Sequence, residues 1–141
     1  MVKGISATQR TLAHLRQQGC RCDIVERFNP FGGKFGVKHD LFNIIDIIAL
    51  DPEKGLIGIQ STTGNCHTDH IRKLTEKHYQ ETYDWLRSGV KLEMYSWRKI
   101  LLKRGGKAMR WKARITVFSL INDTVVYEEI GKNKPLDKLL R

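Results

Sequence analysis

The sequence predicts an α/β fold in which one mixed sheet is flanked by helices. Two segments carry apolar residues at helical spacing, one near the N terminus and one across residues 67–87. Short apolar runs lie between and after them, most clearly at residues 41–50 and 56–63. Groups of strands that are separated by helices along one chain are typical of a sheet packed against helices.

The first half of the chain predicts a helix followed by strands. Ser6 suits the start of a helix, and Gly19 suits its end. Residues 20–28 alternate in polarity and predict a strand, whereas the glycine-rich residues 29–39 predict a flexible basic loop. The isoleucine-rich run 41–50 predicts a buried central strand because it is almost continuously apolar.

The second half predicts a hairpin, a long helix and two more strands. The turn sequence DPEKG, residues 51–55, would pair the preceding run with residues 56–63 as an antiparallel hairpin. The helix at 67–87 would then be a right-handed crossover to a strand at 90–97. A basic connector leads from there to a last strand at 111–120.

These elements predict a single domain. A chain of 141 residues suits one compact core, and no internal repeat or domain break interrupts it. We expect the domain to span residues 1–141, with its core at about 6–118. The tail at 121–141 is assigned only a terminal strand and a short helix.

Composition favours a polyanionic partner and argues against a membrane protein. There are 25 Lys and Arg against 15 Asp and Glu, a formal net charge of +10, which favours nucleic acid over a merely soluble basic protein. No apolar stretch approaches the roughly 20 residues of a membrane span. The first residues, MVKGISATQR, lack the apolar core of a secretion signal, so we expect a cytoplasmic location. Three cysteines without paired zinc spacing favour reduced thiols.

Asp46 and Gln60 are the unusual residues of the predicted hairpin. Asp46 lies in an otherwise apolar run, where a charge is unfavourable unless it is paired, hydrogen-bonded or bound to a metal. Counting from the turn, Asp46 lies about five residues back and Gln60 about five forward, so the two should be side by side, within roughly 5 Å at Cβ. Oxygen ligands of this kind suit Mg²⁺. The structural alternative is that Asp46 accepts bonds from backbone amides or a lysine, and that Gln60 caps an exposed edge.

The segments KHDLFNIIDIIAL, GLIGIQSTT, VKLEMYSWRK and RWKARITVF, in this order, resemble the PD-(D/E)XK nuclease superfamily over roughly residues 6–118. That superfamily includes the Holliday junction resolvases and many small phage and bacterial nucleases. The resemblance implies a restriction-endonuclease-like fold with an αβββαβ core. It also implies Mg²⁺ or Mn²⁺ held by Asp46, Gln60 and the Ser61 carbonyl, DNA as partner, and a homodimer, because resolvase-like members usually act as dimers.

The chain departs from the superfamily pattern at the catalytic lysine. The lysine should follow Gln60 by two residues, where this chain has Thr62, and the first helix offers no glutamate. Lys38 and Lys73 are the candidate replacements. If the chain were extended, Lys38 would lie about 26 Å from Asp46, and Asp40, a candidate second ligand, about 20 Å.

Basic residues in three segments are candidate phosphate contacts. They lie in the glycine-rich loop, at the start of the long helix and in the connector after the fourth strand, where they are interleaved with Trp97 and Trp111. The alternatives are a solvated helix face and packing of the two tryptophans in the core. The candidates are Lys34, Lys38, His67, Arg72, Lys73, Arg98, Lys103, Arg104, Lys107 and Arg110.

The leading interpretation of the sequence is a metal-dependent DNA endonuclease-like domain that hydrolyses phosphodiester bonds, including those of branched DNA. Its catalytic set would be drawn from Asp46, Gln60, Thr62 and Lys38. The alternative is a catalytically inactive nucleic-acid-binding module of the same fold, which the missing lysine favours. A third class is a basic protein that docks an acidic protein partner.

Overall fold

The computed structural model describes residues 4–34 and 36–130. Three α-helices occur in that part of the chain: α1 (Ala7–Gln17), α2 (His67–Arg72) and α3 (Tyr79–Arg87). The strands are β1 (Arg21–Ile24), β2 (Arg27–Asn29), β3 (Val37–His39), β4 (Ile47–Asp51), β5 (Gly55–Thr63), β6 (Lys91–Leu101), β7 (Met109–Ile121) and β8 (Thr124–Ile130). None of the helices in the described ranges is long and apolar enough to cross a membrane.

Six of the strands form one mixed sheet in the order β1-β4-β5-β6-β7-β8. β4 runs antiparallel to both β1 and β5, and β5 runs parallel to β6. β7 and β8 continue the sheet in antiparallel fashion, while β2 and β3 form a separate hairpin. The predicted α/β class with a mixed sheet is therefore confirmed.

Helix α1 covers one face of the sheet. Ser6 caps it by accepting a hydrogen bond from the Gln9 amide at 3.2 Å, as its position before the apolar stripe predicted. Leu12 and Leu15 are buried against strand residues that include Ile59. The predicted end at Gly19 is also correct, since this residue adopts a φ of +87° that favours glycine.

The opposite face is covered by the predicted long helix, which is not a single α-helix. A π-helical segment, Lys73–Lys77, joins α2 to α3, and His78 breaks the helical backbone with φ −118° and ψ 41°. Ile71 and Leu74 project from this region into a core formed with Met94 and other strand residues. A π segment shifts the register of the side chains around the helix axis.

Three sequence predictions about the N-terminal strands were wrong. Residues 20–28 contain β1 and the start of β2, which belong to different sheets. The described residues of the predicted loop at 29–39, which are 29–34 and 36–39, include the end of β2 and all of β3. The predicted strand at 41–50 begins only at Ile47. Residues 41–45 fold back in a turn, with left-handed backbone at Phe42 and Asn43.

The predicted connector after the fourth strand is mostly strand as well. β6 continues to Leu101 and β7 begins at Met109, with register Arg98↔Lys112. In the predicted tail, β8 confirms a terminal strand. The short helix predicted beyond it lies outside the described residues.

Candidate functional site

Asp46 and Gln60 lie side by side, as the sequence predicted. The ladder between β4 and β5 ends at the pair Ile47↔Ile59, and the next residues on each strand are Asp46 and Gln60. The Gln60 side-chain amide donates to Asp46 Oδ2 at 2.9 Å. The backbone amide of Ser61 donates to the same oxygen at 3.1 Å. The Asp46 backbone still bonds to both neighbouring segments, donating to the Ile59 carbonyl and accepting from the Val25 amide, each at 3.0 Å. Its side chain extends this pairing by one further step, to the Ser61 amide.

The Asp46–Gln60 pair is buried, and only part of its hydrogen-bonding capacity is used. Asp46 is 4% exposed and Gln60 is 2% exposed. Asp46 Oδ1 and Gln60 Oε1 are both buried without a hydrogen-bond partner among the described residues. Buried oxygens normally have partners, so two orphaned acceptors on adjacent side chains require an explanation.

Burial raises the pKa of Asp46 from 3.8 to about 7. The Ser61 amide opposes that shift because it stabilises the ionised form. The charges of Asp40 and Glu26 raise the pKa further, and the charge of Lys73 lowers it. Asp46 therefore lies within electrostatic reach of two other carboxylates and one lysine.

An ion pair between Lys73 and Asp40 lies within electrostatic reach of the buried carboxylate. Lys73 Nζ donates to Asp40 Oδ2 at 2.8 Å, and the side chains are only 26% and 16% exposed. The distance of about 20 Å between Asp40 and Asp46 assumed an extended chain, and the structure contradicts that assumption. The turn at 41–45 brings the chain back, with the Leu41 amide donating to the Ile45 carbonyl at 2.7 Å.

Ser61 and Thr62 follow Gln60 on opposite faces of the sheet. Ser61 Oγ lies 2.7 Å from Thr11 Oγ1 of α1, so its side chain points away from Gln60. Thr62 shares the face of Gln60, and its hydroxyl lies 3.2 Å from His70 Nδ1. Thr62 carries no charge and is already engaged, so it cannot supply the cation that the superfamily has at this position. The role predicted for the Ser61 carbonyl stays a prediction.

Lys38 lies in the small hairpin and pairs with Glu26. Its ammonium is 3.9 Å from Glu26 Oε1, and its side chain is 70% exposed. Lys34 lies in the turn of the same hairpin. Glu26 was missed by the sequence reasoning because it sits in the short break between β1 and β2, which the sequence did not reveal.

The basic residues predicted on the long helix adjoin Lys73. Arg72 and Lys73 line a shallow cavity of about 370 Å³ together with the acidic residues Asp69 and Glu76. His67 is the first residue of α2. Among the residues that the structure describes, no three His, Cys, Asp or Glu side chains converge in a way that could hold a metal ion.

The remaining predicted contacts lie on the extension of β6 and β7, which we call the ribbon. It consists of residues 98–112, and the strands β6 and β7 within it pair with each other beyond the end of β5 at Thr63. This segment contains no Asp or Glu. Its basic residues are Arg98, Lys99, Lys103, Arg104, Lys107, Arg110 and Lys112.

Comparison with known proteins does not assign this chain to a family. No protein-family model, curated protein or solved structure matches this chain.

Proposed function

We propose that this chain is a metal-dependent DNA endonuclease-like domain of the PD-(D/E)XK type, with its lysine relocated to Lys73. The strand directions support this proposal. A first helix, the antiparallel strands β1, β4 and β5, a helical crossover and the parallel strand β6 follow the order that the resemblance implies. The β2–β3 hairpin is then an insertion between the first two strands of that core.

The observation that carries the proposal is the pair of orphaned oxygens. Asp46 Oδ1 and Gln60 Oε1 are unpartnered acceptors on neighbouring, hydrogen-bonded side chains, and we propose that a bound cation is their missing partner. Carboxylate and amide oxygens are the hard ligands that Mg²⁺ and Mn²⁺ accept, so the donor set fits the implied ion. A bound ion of this kind would polarise the phosphate and lower the pKa of a water nucleophile.

Lys73 supplies the positive charge that Thr62 lacks. It lies on the helical segment over the sheet face that holds Gln60 and Thr62, and its charge lowers the pKa of Asp46. Asp40 holds the ammonium at 2.8 Å. An ammonium oriented in this way would stabilise the negative charge that develops on phosphate during hydrolysis.

A second candidate function is nucleic-acid binding without catalysis. It is favoured by the burial of Asp46 and Gln60, whose free oxygens have almost no contact with solvent. A phosphodiester can reach Asp46 only if the chain around it opens. In this case Asp46 and Gln60 are structural, and the basic surface alone carries the function.

Cleavage of labelled DNA in Mg²⁺ or Mn²⁺ tests the proposal. Four-way junctions, forks, blunt duplexes and single strands are incubated with wild type, Asp46→Asn and Lys73→Ala, with the exposed Lys77→Ala as the matched control. We expect both site variants to lose cleavage by about 10²-fold or more while Lys77→Ala keeps it. Cleavage that is unchanged in Asp46→Asn would remove the nuclease proposal. Wild type that binds these DNAs without cleaving any of them would establish the second candidate instead.

A further inference from the structure

We infer that one face of the ribbon binds an unpaired DNA strand, so that the substrate class is DNA in which a duplex meets a single strand. This inference rests on the proposed function for the identity of DNA as the partner. It concerns the face that points toward α1, opposite the face that holds Asp46 and Gln60.

Alternation along β6 and β7 gives the ribbon two unlike faces. The register pairs Lys99 with Trp111 and Leu101 with Met109, which places these four side chains on the same face as Trp97. Leu101 and Met109 are about half exposed, and Trp111 is 38% exposed. This face of the ribbon therefore offers three partly exposed apolar side chains to a ligand.

The other face of the ribbon is basic and shares its side of the sheet with the Asp46–Gln60 pair. The parallel register pairs Gln60 with Met94 and Thr62 with Ser96. Arg98 follows Ser96 by two residues and therefore lies on that side, opposite Lys112 in the next strand. Duplex phosphates held by this face would lie on the same side as the proposed catalytic site.

A groove of about 790 Å³ runs between α1 and the base of the ribbon. Arg10, His14, Trp97 and Trp111 are among its lining residues, and its size is that of an ordinary ligand site. Trp97 is fixed there, because its indole nitrogen donates to Thr11 Oγ1 at 2.8 Å. His14 packs edge-on against the Trp97 ring at 5.9 Å between centroids.

Positive charge surrounds the exposed indole at the mouth of this groove. The Arg10 guanidinium lies 3.9 Å from the Trp111 ring centroid, and Lys99 Nζ lies 5.4 Å from it. The Arg10 guanidinium stacks on the ring at this distance, so a base would use the other ring face or take the place of Arg10, while the phosphates meet the charges. Bases inside a duplex are already stacked and cannot use the ring, so the complementary ligand is an unpaired strand.

Fluorescence anisotropy in EDTA, at one fixed salt concentration, tests this inference independently of cleavage. The probes are fluorescein-labelled oligo(dT) and a blunt duplex, and the variants are Trp111→Ala, Trp111→Phe and the double variant Arg110→Ala/Lys112→Ala. We expect Trp111→Ala to weaken oligo(dT) binding about 5- to 150-fold with less than a twofold effect on the duplex. Trp111→Phe should restore most of the affinity, because the stacking surface returns. The double variant should weaken duplex binding more than Trp111→Ala does.

The outcomes separate this inference from the proposed function. If Trp111→Ala binds oligo(dT) as wild type does, or if wild type does not bind oligo(dT), the inference fails even where wild type cleaves duplex DNA. If Trp111→Ala loses affinity for oligo(dT) selectively and Trp111→Phe restores it, the inference stands even where no DNA is cleaved. Circular dichroism of each variant shows that a lost affinity is not a lost fold.

Discussion

Replacing Asp46 by asparagine separates a functional role of this residue from a structural one. Asparagine has nearly the same shape, and its amide oxygen can keep both hydrogen bonds that Asp46 Oδ2 accepts. The substitution removes the charge and puts an NH2 group in place of the unpartnered oxygen Oδ1. If Asp46 is retained for function, the variant should be inactive and yet more stable, since active-site residues often reduce stability.

The size of the expected difference in stability between Asp46→Asn and wild type follows from the pKa of Asp46. Burial raises it from 3.8 to about 7, so the unfolded chain releases this proton at lower pH than the folded chain does. Protonated Asp46 therefore favours the folded state at acid pH, and this stability is lost as pH rises from about 4 through about 7. Each pKa unit corresponds to about 1.4 kcal/mol, so the loss is about 4 kcal/mol once the carboxylate is fully ionised.

Urea denaturation at pH 5, 6, 7 and 8 in EDTA measures this effect. We expect the free energy of unfolding of Asp46→Asn to exceed that of wild type by a margin that grows over this range. The matched control is Asp51→Asn, which changes a partly exposed carboxylate whose pKa is lowered by the amides of Lys54 and Glu53. Above pH 5, the free energy of unfolding of Asp51→Asn should change with pH as that of wild type does. Parallel curves for wild type and Asp46→Asn would refute the reasoning, because they would mean that burial does not oppose ionisation.

Three further results are expected from the same geometry. Lys73→Ala leaves Asp40 without its cation, so the pKa of Asp46 should rise further. The loss of stability with rising pH, measured by urea denaturation, should then have its midpoint at a higher pH. An unchanged midpoint pH would mean that Lys73 lies too far from Asp46 to affect it. Arg110→Ala/Lys112→Ala should reduce the slope of log affinity for duplex DNA against log salt concentration by about 1.8, because each lost phosphate contact removes roughly 0.9. The control Arg21→Ala/Lys91→Ala makes the same charge change elsewhere and should leave the slope unchanged. Gly58→Ala should lower the free energy of unfolding by about 1–3 kcal/mol, because the added Cβ would clash with the Trp85 ring and lie 2.7 Å from Ile45 Cδ1. The control Gly4→Ala, whose Cβ would meet open space, should be neutral in the same assay.

The Asp46–Gln60 contact could be predicted from sequence because a tight hairpin fixes its own register. The DPEKG turn closes with the pair Asp51↔Gly55, and Gly55 has the positive φ of +83° that such a turn needs. Counting outward from that turn places Asp46 beside Gln60 without knowledge of any other element.

The Asp40–Lys73 pair could not be predicted in this way. It depends on Phe42 and Asn43 both adopting left-handed backbone. Asparagine tolerates this conformation, but a bulky residue such as Phe42 does not favour it, so the surrounding fold must impose it. It also depends on where the π-helical segment points Lys73. Both are tertiary effects that local patterns do not encode.

The ribbon was missed as a strand pair for a related reason. Its glycines and basic residues are typical of a connector, and the pairing of Ile100 with Arg110 supplies no apolar match that a local pattern could detect. The strands persist because each continues a long element anchored in the core, where Leu92 pairs with Phe118.

Binding of Mn²⁺ tests the central claim most directly. Isothermal titration calorimetry at pH 8 should detect one site in wild type, no site in Asp46→Asn, and a site in Asp51→Asn equal to that of wild type. Gln60→Ala should weaken the site, because one of the two orphaned oxygens is removed. Equal Mn²⁺ binding by wild type and Asp46→Asn, or no binding by wild type, would contradict the account and leave the carboxylate a structural part of a basic α/β domain.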